Sequence, residues 1–358
     1  MIEYQTDPEF LEIPFMKKDS QNRRRPRSNP IGRFFAFLGV TLLCLTVVLV
    51  GVVWVLEKGP SPTITGMFCR SVRETSAIRW ISGIFLSEEE LEQYKSESTE
   101  NVATESVNTS LIHISRVEKA EENKRVDLIE IAEGTCKGKL LIVYDPTDVI
   151  LGTSDQFITK PGLQLTDMVA KYNGLAGINA GGFNDENGTG DGGTPQGLVI
   201  TNGEIIYGNA YAGYSIVGLD QDGILIVGSM TGNEALAMGM KWGVSFITHD
   251  GLASSLIING QVQYQNLGGG VNPRTAIGQR EDGALLLLVL DGRSINTLGA
   301  TMEDIVNIML EYGAVNAGNL DGGSSSVMVY GNEIINNCAS ITGPRRIPTG
   351  FIVVEGGA

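Results

Sequence analysis

The chain has 358 residues, 42% of them apolar, and carries 41 Asp and Glu against 26 Lys and Arg for a formal net charge of −15. It is long enough for a sizeable core, and its acidity excludes nucleic acid and polyanionic surfaces as electrostatic partners. Its four cysteines are too few for a disulfide scaffold and show no CxxC or Cys/His spacing that would suit zinc.

Taken from the N-terminus, residues 1–33 are a basic tail, with Lys17, Lys18, Arg23, Arg24, Arg25, Arg27 and Arg33 preceding an apolar run. Phe34 to Leu56 contains no charged residue, and at about 1.5 Å per residue it reaches about 34 Å, enough to cross a bilayer core. A signal peptide is the competing reading, but the run is longer than a usual signal core and lacks a small-residue cleavage pattern before Glu57. The expectation is a single-pass cell-membrane protein with a cytoplasmic N-terminus by the positive-inside rule, leaving everything after Glu57 extracytoplasmic. That outer portion carries 19 Lys and Arg against 36 Asp and Glu.

Residues 57–110 read as an extracytoplasmic stalk or linker, Ser/Thr-rich and acidic, with one short amphipathic helix near Glu88 to Tyr94. Residues 111–358 read as one globular domain. From Arg125 the pattern becomes paired short strands, such as VDLIEIA with KLLIVYD and GLVITNGEIIYG, with NG and DG at the tips marking hairpins. Helical periodicity occurs at Leu165 to Tyr172 and Met302 to Tyr312. Each helix leads into an apolar strand, GINAGG and VNAGN, and this echo pairs Asn179 with Asn316. Strands outnumber helices, so the expected fold class is α+β, with mixed or antiparallel sheet and few helices, preceded by the membrane helix and the stalk. Cys136 with Cys338 is the one disulfide considered.

A Ser/His hydrolase is improbable, because the domain offers only His113, at its edge, and His249, in a DG turn. The chain supplies instead carboxylate, amide and arginine on glycine-rich turns: Asp185 and Asp191 after Phe183, Asp291 in LDGR, and Asp321 in NLDGGSSS, Asn319 to Ser326. In the last of these, Gly322 and Gly323 permit a close backbone approach, and Ser324 and Ser325 offer hydroxyls and N–H groups that could form an anion-binding concavity. In NDENGTGDGG, Asp185, Asn187 and Asp191 alternate as oxygen ligands that would suit calcium, although no glutamate closes the loop and a solvated rim is the competing reading. No cofactor is otherwise required.

RTAIG at Arg274 to Gly278, the hairpin ending in Asp291 and Gly292, NLDGG at Asn319 to Gly323, and the terminal strand PRRIPTGFIVV together resemble the phosphodiester glycosidase family, in the same order and at similar spacing. The glycine turn NAGGF is one residue longer than the NGGF or NGGY common in that family. The resemblance implies cleavage of a sugar-1-phosphodiester bond, with a carbohydrate phosphodiester as partner and substrates in cell-envelope or exopolysaccharide glycans. A phosphate-ester leaving group lowers the demand for a strong acid and raises the demand for anion binding. On that reading Asp321 acts as nucleophile, base or sugar-hydroxyl ligand, with Asp291 as a second catalytic candidate. Arg274 and Arg345 clamp phosphate through their rigid donor forks. Thr275, Asn179, Asn319, Ser324, Ser325 and the N–H groups of Gly181, Gly182, Gly322 and Gly323 complete the binding set. A noncatalytic envelope protein that binds a phosphosugar polymer or an export partner is the alternative.

Overall fold

The computed structural model describes residues 30–73, 76–94, 99–100, 106–114, 125–134, 136–185, 190–246, 254–265, 270–292, 297, 299–340 and 343–356. His249 and Asn187 lie outside these. The chain divides into two compact units, Met1–Val52 and Val53–Ala358. The first is described only through the helix Pro30–Lys58, which is exposed and apolar on all sides and long enough to cross a membrane.

Within residues 57–110, expected to be a stalk or linker, the described residues 57–73 and 76–94 include a small helical layer. Helix Pro62–Arg73, the 3-10 turn Ser76–Gly83 and helix Glu88–Glu92 close around Cys69, Leu86 and Leu91, with Phe68 and Tyr94 against them. These apolar residues are too widely spaced to show a period, and a capping box of Ser87 and Glu90 starts the last helix, which brings Leu91 to them. Further on, Val107 joins the main core and the Asn108 N–H donates to Asn259 Oδ1 at 2.7 Å.

The second unit is an α+β body of antiparallel sheets. A seven-stranded sheet runs in the order Gln261–Val262, Ser255–Ile258, Ala314–Asn319, Arg274–Arg280, Leu285–Leu290, Cys136–Val143, Val126–Glu133. The run LLLLVL, Leu285–Leu290, has no polar face because both its faces are covered. Leu285, Leu287 and Val289 enter the main core, whereas Leu286, Leu288 and Leu290 pack with Met302, Ile305 and Met309 of helix Met302–Glu311. One five-stranded sheet runs Glu333–Ile334, Met328–Tyr330, Gly174–Asn179, Thr349–Val354, Val149–Thr153, and another Glu204–Tyr207, Val199–Thr201, Met240–Ser245, Gly213–Asp220, Leu225–Thr231. Hairpin tips fall at the NG and DG pairs: Asn202 and Gly203 both take positive φ, as do Asn259 and Gly260.

Two parts of this body repeat one another. Helix Leu165–Lys171 leads through Tyr172 into strand Gly174–Asn179, and helix Met302–Glu311 leads through Tyr312 into strand Ala314–Asn319. Asn179 lies opposite Gly350 and Asn319 opposite Ala276, and each pairing slips register at the same distance from its asparagine, at Val353/Val354 and Gln279/Arg280. The equivalent of Asn179 is therefore Asn319, not Asn316. The expected pairing aligned the two NAG triplets, but the common seven-residue step from Tyr to Asn decides the register. Asn316 instead accepts the Asn259 N–H at 2.9 Å.

Candidate functional site

The two asparagine-ended strands deliver their following turns to one place. Asn179 is buried. Its Nδ2 donates to the Asp321 carbonyl at 2.5 Å, and its Oδ1 accepts from Thr275 Oγ1 at 2.9 Å and from the Val327 N–H at 3.1 Å. One amide thus ties the glycine turn to RTAIG and to the strand that follows. The main chain completes the frame: the Asp321 N–H donates to the Ala180 carbonyl at 3.0 Å, Leu320 N–H to Thr275 O at 2.9 Å, and Gly323 N–H to Pro273 O at 3.0 Å. Gly323, at φ +64°, then opens the 3-10 turn Gly323–Ser325 in a region that L side chains rarely occupy.

Asp321 stands on this frame with its carboxyl pushed up to about 7. Desolvation is the main cause and the charge of Asp185 adds to it, while the Ser325 hydroxyl, Arg345 and the Gly322 N–H oppose it. Arg345 is the arginine that faces this group. Its guanidinium forks onto Asp185 at 2.8 and 3.1 Å, donates to Ser324 Oγ at 3.1 Å and the Gly190 carbonyl at 2.9 Å, and lies 5.2 Å above the Phe183 ring. Asp185 also accepts the Gly190 N–H at 2.8 Å.

Several expected ligands have other work. Arg274 is buried, and its guanidinium donates to the carbonyls of Ala300 at 3.2 Å and Gly270 at 2.6 Å. These two bonds hold main chain, because RTAIG is an interior strand with its first side chain turned inward. The Gly181 N–H donates to Thr349 Oγ1 at 3.0 Å, and that of Gly323 to Pro273, so these two are not open anion donors. Gly182 accepts the Gln196 N–H at 2.8 Å, and Asn319 is a buried strand end.

Asp291 accepts the Asn337 N–H at 2.9 Å, and burial raises its carboxyl against that bond. Neighbouring Asn336 holds Ser326 and Met328 by their main chain, so Asp291 braces the loop behind the turn. Cys136 and Cys338 are not bridged; their thiols donate to the carbonyls of Gly299 and Ser326. Asp185 is engaged by Arg345 and Asp191 accepts the Gly193 N–H at 2.9 Å, and among the described residues no group of three or more His, Cys, Asp or Glu is arranged to hold a metal ion. Phe183 packs in the core beneath Arg345.

The pairing of Asp185 with Arg345 joins residues 160 positions apart, and nothing local in the sequence marks it. The hub role of Asn179 is equally silent, although its NAGG context was a visible signal.

The profile of the phosphodiester glycosidase family (NAGPA) matches residues 172–354, half of the chain. The chain is 46% identical over 66 residues to the SPbeta prophage-derived uncharacterized protein YomE of Bacillus subtilis (strain 168), a stretch covering 18% of this chain and only 10% of that protein. Among solved structures, the catalytic domain of zebrafish N-acetylglucosamine-1-phosphodiester alpha-N-acetylglucosaminidase, auto-inhibited by its pro-peptide, is similar with a TM-score of 0.54 at 18% identity, over 71% of this chain and 88% of that one. A hypothetical protein from Synechocystis is similar at a TM-score of 0.44 and 16% identity, over 63% and 61%. The matched stretch contains both asparagine-ended strands, the Asp321 turn and Arg345, and by that match the chain belongs to the phosphodiester glycosidase family.

Proposed function

We propose that the protein is a membrane-tethered extracytoplasmic hydrolase of sugar-1-phosphodiesters, acting on glycans of the cell envelope or exopolysaccharide. The observation that carries this reading is the carboxyl of Asp321, desolvated on a braced turn and poised near neutrality beside the Arg345–Asp185 pair. A group with that proton affinity serves as acid toward a leaving oxygen or as base toward water at physiological pH. Arg345 supplies the rigid fork for the phosphate. It does so by exchanging Asp185 for the incoming diester, with Ser324 following the same anion. Because a phosphodiester departs readily, holding the anion and stabilising the oxocarbenium-like transition state are the larger tasks. Arg274, Asn179 and Thr275 act on this reading as positioning residues, since their bonds fix the backbone on either side of Asp321.

The test is hydrolysis of a methyl phosphodiester of N-acetylglucosamine and of UDP-sugars by the full chain in detergent or vesicles. Turnover lost in Asp321→Asn with the fold intact supports the reading. No turnover across a broad panel of sugar-1-phosphodiesters by the natural chain would favour a noncatalytic protein that binds phosphosugar polymer.

A further inference from the structure

The helical layer after the apolar helix turns its apolar side chains the wrong way for a spacer. Helix Pro62–Arg73 buries Thr65, Gly66, Cys69, Ser71 and Val72, yet leaves Ile64 53% and Met67 40% exposed, one turn apart on the opposite face. The next turn exposes Trp80 at 69% and Ile84 at 42%, four residues apart. Water is a poor solvent for such a set, and tryptophan with an apolar body and a polar N–H prefers the membrane interface.

Geometry places this layer at the end of the apolar helix and holds it there. The Glu57 carboxylate accepts the Phe85 N–H at 2.8 Å, and Lys58 pairs with Glu90. Residues 84 and 85 are therefore fixed against the last turn of that helix, and only Gly59, Pro60 and Ser61 separate it from Pro62, a reach of at most about 14 Å. Charge points the same way. Residues 57–84, the stretch that holds these four side chains, carry four Lys or Arg against two Glu, whereas the helix Glu88–Glu92 of the same layer is acidic and residues 85–358 carry 15 against 34 acidic residues.

We propose that Ile64, Met67, Trp80 and Ile84 enter the headgroup and upper acyl region of the outer leaflet, as an in-plane membrane contact beside the spanning helix. The partner is a phospholipid surface, with Arg79 facing its phosphates. The inference rests on reading Phe34 to Leu56 as a membrane span. Its consequence is that the domain does not swing on a stalk: Ser71 Oγ accepts the Val271 N–H at 2.8 Å, and Arg274 holds the adjacent Gly270 carbonyl, so the docked layer is bonded to the segment leading into strand Arg274–Arg280, whose Pro273 and Thr275 carbonyls hold the Asp321 turn.

The experiment uses the full chain in vesicles of phosphatidylcholine with phosphatidylglycerol, in two single-tryptophan forms. One keeps Trp80 (Trp54→Phe, Trp242→Phe) and the other keeps Trp54 (Trp80→Phe, Trp242→Phe). Trp80 should lose about half its emission to lipids brominated near the headgroup end of the acyl chain, as expected for a face sunk about 5–10 Å into the interface, and should resist aqueous iodide. Adding Ile64→Ser, Met67→Ser and Ile84→Ser should abolish that quenching while leaving the quenching of Trp54 unchanged. Trp80 open to iodide and untouched by brominated lipid, with Trp54 still quenched, overturns the docking but leaves the span intact. Neither tryptophan quenched by lipid overturns both. Trp80 shielded from both quenchers would mean a protein partner covers the face, which also overturns the proposal. Should Trp242→Phe fail to fold, the same comparison is made between the natural chain and Trp80→Phe alone, where the fraction quenched by shallow bromolipid should fall.

Discussion

Asp321 has a carboxyl that rises to about 7 from an ordinary value near 4, and the sign of that shift sets how stability and activity move with pH. The folded state binds the proton more tightly than the unfolded state, so the neutral carboxyl is tolerated at low pH and stability falls as pH climbs from about 4 to about 7. Asp321→Asn should therefore be more stable than the parent at pH 8, by up to about 4 kcal/mol, with the gain vanishing near pH 4; thermal unfolding at the two pH values checks this. The same variant should lose about a hundredfold or more in turnover, and the parent's rate should show one limb breaking near neutrality. An aspartate with only a structural role would give the opposite pattern, less stable and fully active. Arg345→Lys keeps the charge but not the fork onto Asp185, so KM for phosphodiesters should rise roughly tenfold, about 1.4 kcal/mol, while simple aryl glycosides are affected less.

At the scale of elements, the Asn179 amide sits where the two repeated parts of the domain meet. Asn179→Ala would strand the Thr275 hydroxyl, the Val327 N–H and the Asp321 carbonyl together, at a cost of about 2–4 kcal/mol, while Thr275→Val should cost about 1–2. Because the two share one bond, the double variant should fall short of the sum by about 0.5 kcal/mol or more in urea unfolding. Much of the element plan was legible: the NG and DG tips located hairpins, the two helices appeared within a residue of their expected ends, and the α+β class followed from strands outnumbering helices. Pairing across the chain was not. The buried Leu285–Leu290 run cannot say which strands flank it, and RTAIG cannot say that its arginine faces inward toward Ala300 and Gly270. The NAG echo was a true repeat read three residues out of step, because triplet identity was weighed above the distance from each helix end.

At the scale of the whole molecule, the helical layer and Val107 belong to the packing of the second unit. A chain beginning at Leu111 forfeits Val107 from the main core and the Asn108–Asn259 bond, so it should aggregate or unfold at lower temperature than one beginning at Ser61. The tethered orientation is checked on intact cells, where added protease should remove residues after Glu57 and spare the basic tail. The order of synthesis adds a constraint that no local contact reveals. Strand Thr349–Val354 lies between Val149–Thr153 and Gly174–Asn179, which leave the ribosome about 200 and about 170 residues earlier. Until it arrives, those two strands present unsatisfied edges with an open slot between them, and loop closure over such a separation is slow. The sheet therefore stays unfinished until Thr349–Val354 is made, and a passing β-strand from another chain is its natural competitor for the empty slot.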